Sequence, residues 1–373
     1  MLIAGGGTGG HIYPALAVAR ELERLGSERL GAAPEILYAG ARGGMEERLA
    51  GEAGYRFLGV AAGGLVGKGP RELLRNGWRM AGGFLEALAH LRRERPELVL
   101  GTGGYAAAPW LLAALLLRLP VALQEQNAVP GKVNQWLAPW VREVYLGYPE
   151  AARHLRGRTV VTGNPVRAEV LEADRESARR RLDLPPRAPV VLCAMGSRGS
   201  ATVNRLLVEL VTGWARRPPG EPPAFLLLAT GRAHHAAFVD GLSRAGVAAE
   251  GATHRVVPYL DEMPLALAAA DLAVARAGAI SLAELTARGL PAVLIPSPHV
   301  AYDHQRANAR ALARRGAALV LEEERLEAGL LRRSLEELLA DRARLEAMAL
   351  ASRRLGRPAA AREVAERLLR LLP

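Results

Sequence analysis

Residues Leu2 to Pro14 read LIAGGGTGGHIYP: a short apolar strand, six small residues, a histidine, then a helix that Pro14 can open. Proline suits a first helical turn, where its missing N–H has no partner to lose. Glycine lets the backbone turn sharply and approach a ligand closely. Such a loop delivers N–H groups to a helix N-terminus, whose partial positive charge favours anions. The chemistry it points to is phosphate or diphosphate binding. No Gly-Lys-Ser/Thr follows, so this is not a P-loop, and Gly5, Gly7 and Gly10 alone fit the weak GxGxxG pattern. A tight structural turn between strand and helix would carry the same residues.

Polar signals recur down the chain. GTGGY and EQN close two apolar runs, and MGSRGSATVN (Met195–Asn204) is a second glycine-rich turn entering a helix. RAGAISLAE (Arg276–Glu284) joins a small-residue turn to a glutamate inside the next helix. An acceptor-only carboxylate there suits the two hydroxyls of a ribose, although a solvated helix charge reads the same. DHQRAN (Asp303–Asn308) offers amide and imidazole donors to sugar hydroxyls, or a helix N-cap with surface polar residues. There is no DxD, no HExxH and no His/Cys spacing of ligand type, so neither a catalytic metal nor a cofactor is expected. Helix N-termini and Arg167 are then the groups available to stabilise a departing diphosphate.

The elements that must position these groups alternate strand and helix. EILYAG, YRFLGV, ELVLGTGGY, VALQEQN, Val144–Gly147 and Thr159–Thr162 read as strands, and Ala15–Leu25, Arg71 to about Arg93 and Ala106–Leu117 as helices. GNPVR (Gly163–Arg167) interrupts the pattern, and the second half repeats it. Alternation with short loops implies α/β architecture: doubly wound parallel sheets with right-handed crossovers. Ligands of such sheets sit at the carboxyl ends of the strands, where all these polar signals fall. The expected division is an N-terminal domain over residues 1–163, a C-terminal domain over 164–340 and a helical tail over 341–373 that braces the first domain.

Composition narrows the function. At 373 residues, half of them apolar, each of two domains can bury a core. The lone Cys193 excludes an intramolecular disulfide, and its setting VVLCAM reads as a buried strand. A formal charge of +11, nearly all from arginine, suggests an anionic partner. Aromatics at 5% leave no stacking platform for nucleic acid. The chain enters its first strand at once, so no leader is expected, and the longest apolar run is too short to span a bilayer.

GGGTGGH, GTGGY, EQNAVPGK, GNPVR, the GSxG turn, RAGAxxxxE and DHQxxNA, in this order and spacing, resemble the MurG family of cytoplasmic N-acetylglucosaminyltransferases of peptidoglycan synthesis. The resemblance runs from residue 2 to about 320. It implies a GT-B fold, two Rossmann-like domains facing across a cleft. It implies inverting transfer of GlcNAc from UDP-GlcNAc to the C4 hydroxyl of MurNAc-pentapeptide-pyrophosphoryl-undecaprenol (lipid I), giving lipid II. Carried over by motif, Thr8, Gly9, Gly10, Asn127, Arg167, Ser197, Leu260, Glu284 and Gln305 form the donor set. Within it Ser197 and Arg167 lie by the diphosphate, the Leu260 backbone by the uracil, Glu284 by the ribose, and Gln305 with Asn127 by the GlcNAc hydroxyls. Thr8, Gly9 and Gly10 also line the acceptor side with His11, and Tyr105, Glu125 and Asn134 lie near it. Many members carry a histidine where this chain has Gln124, so that histidine cannot be an essential base here.

Inversion needs a base on the acceptor hydroxyl, in line with the departing UDP. His11 is the first candidate because imidazole titrates near neutrality, and Glu125 is the second. A phosphate hydrogen bond is the other role open to His11. A UDP-GlcNAc 2-epimerase of similar fold is the nearest competing enzyme; a dinucleotide oxidoreductase would leave the second loop idle. The acceptor's polyprenyl chain stays in the membrane, so an enzyme reaching it must dock on the cytoplasmic face as a peripheral protein. Leu74, Trp78 and Phe84, rimmed by Lys68, Arg71, Arg75 and Arg79, read as the docking helix on anionic lipid. Gly77, Gly82 and Gly83 make that segment read as loop-like and partly exposed, although the same face could pack on the sheet. The partners expected are UDP-GlcNAc, lipid I, an anionic membrane surface and other cell-wall synthesis proteins, with no nucleic acid.

Overall fold

Seven segments of the first half become strands: β1 (Leu2–Gly5), β2 (Leu37–Ala41), β3 (Arg56–Val60), β4 (Val99–Gly103), β5 (Val121–Glu125), β6 (Glu143–Leu146) and β7 (Thr159–Val161). They pair in parallel in the order β3-β2-β1-β4-β5-β6-β7. Every residue of β1, β2, β4, β5 and β6 is buried, as a parallel sheet covered on both faces requires. The second half repeats the plan with β8 (Val190–Ala194), β9 (Phe225–Ala229), β10 (Glu250–Gly251), β11 (His254–Val257), β12 (Leu272–Ala275), β13 (Ala292–Leu294) and β14 (Ala318–Val320). Their order is β10-β11-β9-β8-β12-β13-β14, and only the short β10 runs antiparallel. This computed structural model describes residues 1–64, 69–196, 199–218 and 223–372.

Chain direction fixes where ligands can bind. In the first sheet the chain walks outward from β1 to β3, then crosses to β4 on the other side of β1. In the second it walks from β8 through β9 to β11, then crosses to β12 on the other side of β8. Loops leaving the carboxyl ends of β1 and β4, and of β8 and β12, therefore diverge and open a crevice at each switch point.

Contacts divide the chain into Met1–Arg167 with Arg357–Pro373, and Ala168–Gly356. The first boundary lies four residues beyond the expected one, at the end of GNPVR. The tail does not stay together. The helix Arg342–Leu355 remains with the second unit, where the Ser352 hydroxyl donates to the Leu290 carbonyl at 2.9 Å. Only Ala360–Arg370 returns to the first unit, burying Val364, Ala365 and Leu368 in the core that also takes Ile12, Val18 and Leu22. Its apolar residues line one face, and the Arg29–Glu366 pair at 2.6 Å borders it.

Three local expectations are corrected. The first helix spans Gly9–Leu30, so Pro14 lies inside it and does not open it; Thr8 is the N-cap. Glycine's weak helix propensity made Gly9 and Gly10 read as loop, and tertiary packing overrides it. The helix expected from Arg71 to about Arg93 is one continuous element, Pro70–Glu94, and its glycines do not loosen it into a loop. A Cβ on Gly83 would come within 1.8 Å of the Ala61 carbonyl oxygen, so this glycine marks close backbone packing. Phe84 is partly buried against the core and leaves the docking face, whereas Leu74, Trp78 and Leu85 are exposed. Arg71, Arg75 and Arg79 are exposed beside them; Lys68 lies outside the described residues.

Candidate active site

The loops after β1 and β4 meet at His11. Its Nδ1 lies 3.1 Å from the Thr102 carbonyl oxygen and 3.1 Å from Gln126 Oε1. The Thr102 hydroxyl donates to the His11 carbonyl at 2.9 Å, so one threonine grips both backbone and ring. Gly103 and Gly104 have positive φ, and a Cβ on either would sit 3.1 Å from imidazole atoms. The glycine pair of GTGGY thus makes room for the histidine of GGGTGGH. Beneath these groups lies a buried amide network of Gln124, Gln126 and Asn164.

The first loop already holds an acidic side chain of its own. Glu46 is fully buried, and its carboxylate accepts from the N–H of Gly7 and of Ala41, each at 3.0 Å. A Cβ on Gly6, Gly40 or Gly44 would fall within 2.6 Å of the Glu46 side chain, so these glycines exist to admit it. The reading of the whole loop as a phosphate cradle is therefore too broad. What it offers a ligand is the helix start: Thr8, whose side chain makes no capping bond, with Gly9 and Gly10. The Tyr105 ring packs over Gly7 and is 39% exposed. The Arg167 guanidinium stacks on the Tyr13 ring, 4.7 Å from its centroid, so this arginine belongs to the first unit.

Glu125, the second candidate for the base, is held within its own loop. Its carboxylate accepts from Asn127 N at 2.9 Å, Asn127 Nδ2 at 3.4 Å, Gly131 N at 3.0 Å and Asn134 Nδ2 at 2.8 Å. Burial pushes its pKa up, while these hydrogen bonds pull the other way. A carboxylate so enclosed ties the EQNAVPGK loop together, and it brings Asn127 and Asn134 to one place.

In the second unit the loop after β8 turns through Gly196 and Gly199, both at positive φ, into the helix Ala201–Ala215. Ser200 caps that helix by accepting from Val203 N at 3.3 Å, and Arg276 donates to the same hydroxyl at 2.7 Å. Arg276 pairs with Glu323 and donates to the Ile295 carbonyl at 3.0 Å, so the loops after β8, β12 and β13 are tied together. Ser197, expected at the diphosphate, lies outside the described residues. Glu284 is buried, 7% exposed in the helix Ala279–Arg288, which removes the solvated-charge reading. Leu260 is buried. Gln305 accepts from Ser297 N at 2.9 Å, which turns its amide N–H groups toward other partners. Tyr302 and Asp303, just before it, adopt left-handed backbone conformations, φ 58° and 51°. Burial pushes the Cys193 thiol up to about 12, leaving it an unreactive core group.

Comparison with known proteins decides the family. The sequence models of the glycosyltransferase family 28 N-terminal and C-terminal domains match residues 1–146 and 190–368. The chain belongs to glycosyltransferase family 28. It is 42% identical over 370 residues, 99% of this chain and 95% of the other, to the Symbiobacterium thermophilum UDP-N-acetylglucosamine--N-acetylmuramyl-(pentapeptide) pyrophosphoryl-undecaprenol N-acetylglucosamine transferase. The protein of the same name from Moorella thermoacetica is 41% identical over 99% of this chain and 98% of its own length. Among solved structures, Acinetobacter baumannii MurG superposes with a TM-score of 0.75 at 27% identity, covering 99% of this chain and 98% of that one. The fold is accordingly GT-B.

Several groups of this family 28 chain escape a sequence reading. Glu46, Thr102, Gln126 and Arg276 each act through a partner far along the chain. The signal present for Glu46 was the glycine surplus around it at Gly6, Gly40 and Gly44, which exceeds what a turn needs. Gln126 stood in the EQN motif, but nothing local pointed it at His11.

Proposed function

We propose that this chain transfers GlcNAc from UDP-GlcNAc to the C4 hydroxyl of undecaprenyl-pyrophosphoryl-MurNAc-pentapeptide, with inversion and without a metal ion, at the cytoplasmic face of the cell membrane. The observation that carries the reading is the 42% identity, across 99% of the chain, to a transferase of that name. A 2-epimerase is disfavoured, because both family 28 domains are matched.

The chemistry divides between the two switch points. The second unit takes the donor: helix N–H groups after β8 receive the diphosphate, Glu284 the ribose diol, and Gln305 the sugar hydroxyls. The first unit takes the acceptor, with Thr8, Gly9 and Gly10 at a helix N-terminus suited to its pyrophosphate and His11 beside them. The acceptor oxygen forms a bond to C1 of GlcNAc. The C1–oxygen bond to UDP breaks with its electron pair staying on the diphosphate, and the hydroxyl proton goes to His11. An oxocarbenium-like transition state asks most of leaving-group stabilisation, which oriented N–H groups supply without reorganising.

The test is transfer of radiolabelled sugar from UDP-GlcNAc to a lipid-linked muramyl acceptor in EDTA; product expected only with both substrates present. Epimerised UDP-sugar without acceptor, or an absolute need for a divalent ion, would sink the reading. Replacing Glu284 with alanine should raise the donor KM roughly 10- to 100-fold, the scale of a charged hydrogen bond, with a smaller fall in kcat. Loss of kcat at unchanged KM would remove Glu284 from the ribose.

Docking uses the exposed face of the helix Pro70–Glu94. Leu74, Trp78 and Leu85 are 68%, 73% and 64% exposed. Leu112, Leu116, Trp136 and Trp140 are exposed too, on segments whose buried sides enter the same core as that helix, so the apolar face extends along that layer. Trp110 and Leu111 are fully buried and take no part. Among the described residues no helix is long and apolar enough to cross a membrane. Changing Leu74, Trp78 and Leu85 together to serine should weaken binding to anionic vesicles by on the order of 100-fold, with UDP affinity intact. Salt should weaken the wild type by screening the arginines. A triple variant that sediments like wild type would place docking elsewhere.

A further inference from the structure

The amide network beneath His11 has one direction only. Gln126 Nε2 donates to the Thr102 carbonyl at 2.6 Å. A carbonyl only accepts, so the amide nitrogen faces Thr102 and the amide oxygen faces His11, 3.1 Å from Nδ1. The Thr102 oxygen is itself 3.1 Å from Nδ1. Gln126 Nε2 also donates to Gln124 Oε1. Gln124 Nε2 donates to Asn164 Oδ1 at 2.9 Å, and Asn164 Nδ2 donates to the backbone carbonyl of Gln126 at 2.9 Å. The chain of amides thus ends on backbone carbonyls, which cannot reverse their role. Turning over any one amide would set donor against donor or acceptor against acceptor. Gln124, Gln126 and Asn164 are at most 4% exposed, so no bulk water relieves such a mismatch.

We propose that Gln126 is a positioning residue: it holds His11 as the Nδ1–H tautomer, so that Nε2 is the nitrogen that takes the acceptor proton, with Gln124 and Asn164 fixing the amide that does so. The inference rests on His11 being the base. Two oxygens that only accept flank Nδ1, which must therefore carry the proton; in the neutral ring the lone pair is then on Nε2. The logic is that of an orienting acceptor behind a catalytic histidine, built here with a neutral amide where other enzymes use a carboxylate. A neutral partner leaves the ring's proton affinity lower than a carboxylate would. Of the charged groups on neighbouring segments, the Glu46 carboxyl is held by the N–H groups of Gly7 and Ala41, that of Glu125 by the N–H groups of Asn127 and Gly131, and the Arg167 guanidinium lies over Tyr13, on the same helix as His11.

Long-range proton–nitrogen NMR of the full-length protein reads the tautomer, with His11→Gln assigning the signal. The expected result is a protonated Nδ1 and an unprotonated Nε2 in the neutral ring. An Nε2–H ring, or an averaged mixture, would overturn the proposal. Gln126→Glu supplies the second arm: it keeps the oxygen that faces His11 and adds a negative charge. Because it also gives up the Nε2 donor to Thr102 and Gln124, Gln126→Met, which removes the acceptor without adding charge, is measured beside it and should release the tautomer. An opposite charge at this range moves a pKa by roughly 1–3 pH units. A base works only when unprotonated, so the acidic limb of kcat/KM should move to higher pH by that amount, together with the NMR titration of His11. If the titration moves and the rate profile does not, His11 is not the base, and Gln126 loses its catalytic purpose although the tautomer stands. If neither moves, Gln126 does not act on His11, and the proposal fails with the base assignment untouched.

Discussion

Replacing His11 with alanine is expected to lower kcat by roughly 10²-fold or more, the usual scale for losing a general base, while UDP affinity stays unchanged. The separation of effects follows from the fold. His11 sits at the switch point between β1 and β4, in the first unit, held by Thr102 and Gln126. The UDP groups are assigned to the second unit, which has its own core. Measuring kcat with the lipid-linked acceptor and UDP binding by calorimetry on the same preparation checks this. A fall confined to UDP affinity would make His11 a phosphate ligand. A near-normal kcat would move the base assignment to Glu125, the other candidate, whose carboxylate accepts four hydrogen bonds in the structure.

Glu46→Ala is expected to be the most damaging single change to the stability of the first unit. It strips a buried acceptor from the N–H groups of Gly7 and Ala41, each costing about 1–3 kcal/mol when left unsatisfied. It also opens a cavity between Gly6, Gly40 and Gly44, whose missing side chains cannot fill it. A loss of roughly 4 kcal/mol follows, a large share of the stability of an ordinary domain. Scanning calorimetry should show the transition of the first unit displaced to lower temperature by many degrees, while the transition stabilised by added UDP is retained. Glu46→Gln keeps one acceptor and should fall between. An unchanged melting profile for Glu46→Ala would show that the loop holds itself without this carboxylate.

Much of this protein is legible in its sequence because the relevant physics is local. Alternating apolar strands and amphipathic helices predict parallel sheets, since a strand followed by a helix can rejoin its sheet only by a crossover. Glycine-rich turns after strands predict loops at the carboxyl edge, and those turns do leave β1, β4 and β8. The seven-motif pattern reaches the family without any coordinates.

Tertiary structure decided what depends on contacts distant in sequence or on a choice between adjacent faces. Helical spacing puts Leu74, Trp78 and Leu85 on one stripe and Phe84 next to it, but only packing against the sheet shows that Phe84 turns inward. Glycines at 77, 82 and 83 lower helix propensity, yet Gly83 is where the helix meets the Ala61 carbonyl. Glu125 has the residue type of a base, and only the fold shows the four donors that close on its carboxylate. Gln126 and His11 are 115 positions apart, and Gly7 and Glu46 are 39 apart. Strand order brings each pair together: β2, which precedes Glu46, adjoins β1, and β4 alone separates β1 from β5, which Gln126 follows. Propensity and periodicity act over a few residues and so determine elements and their exposed edges. The protonation state of a catalytic ring and the partner of a buried carboxylate are set by whichever groups the sheet order places within about 3 Å, the range over which hydrogen bonds act.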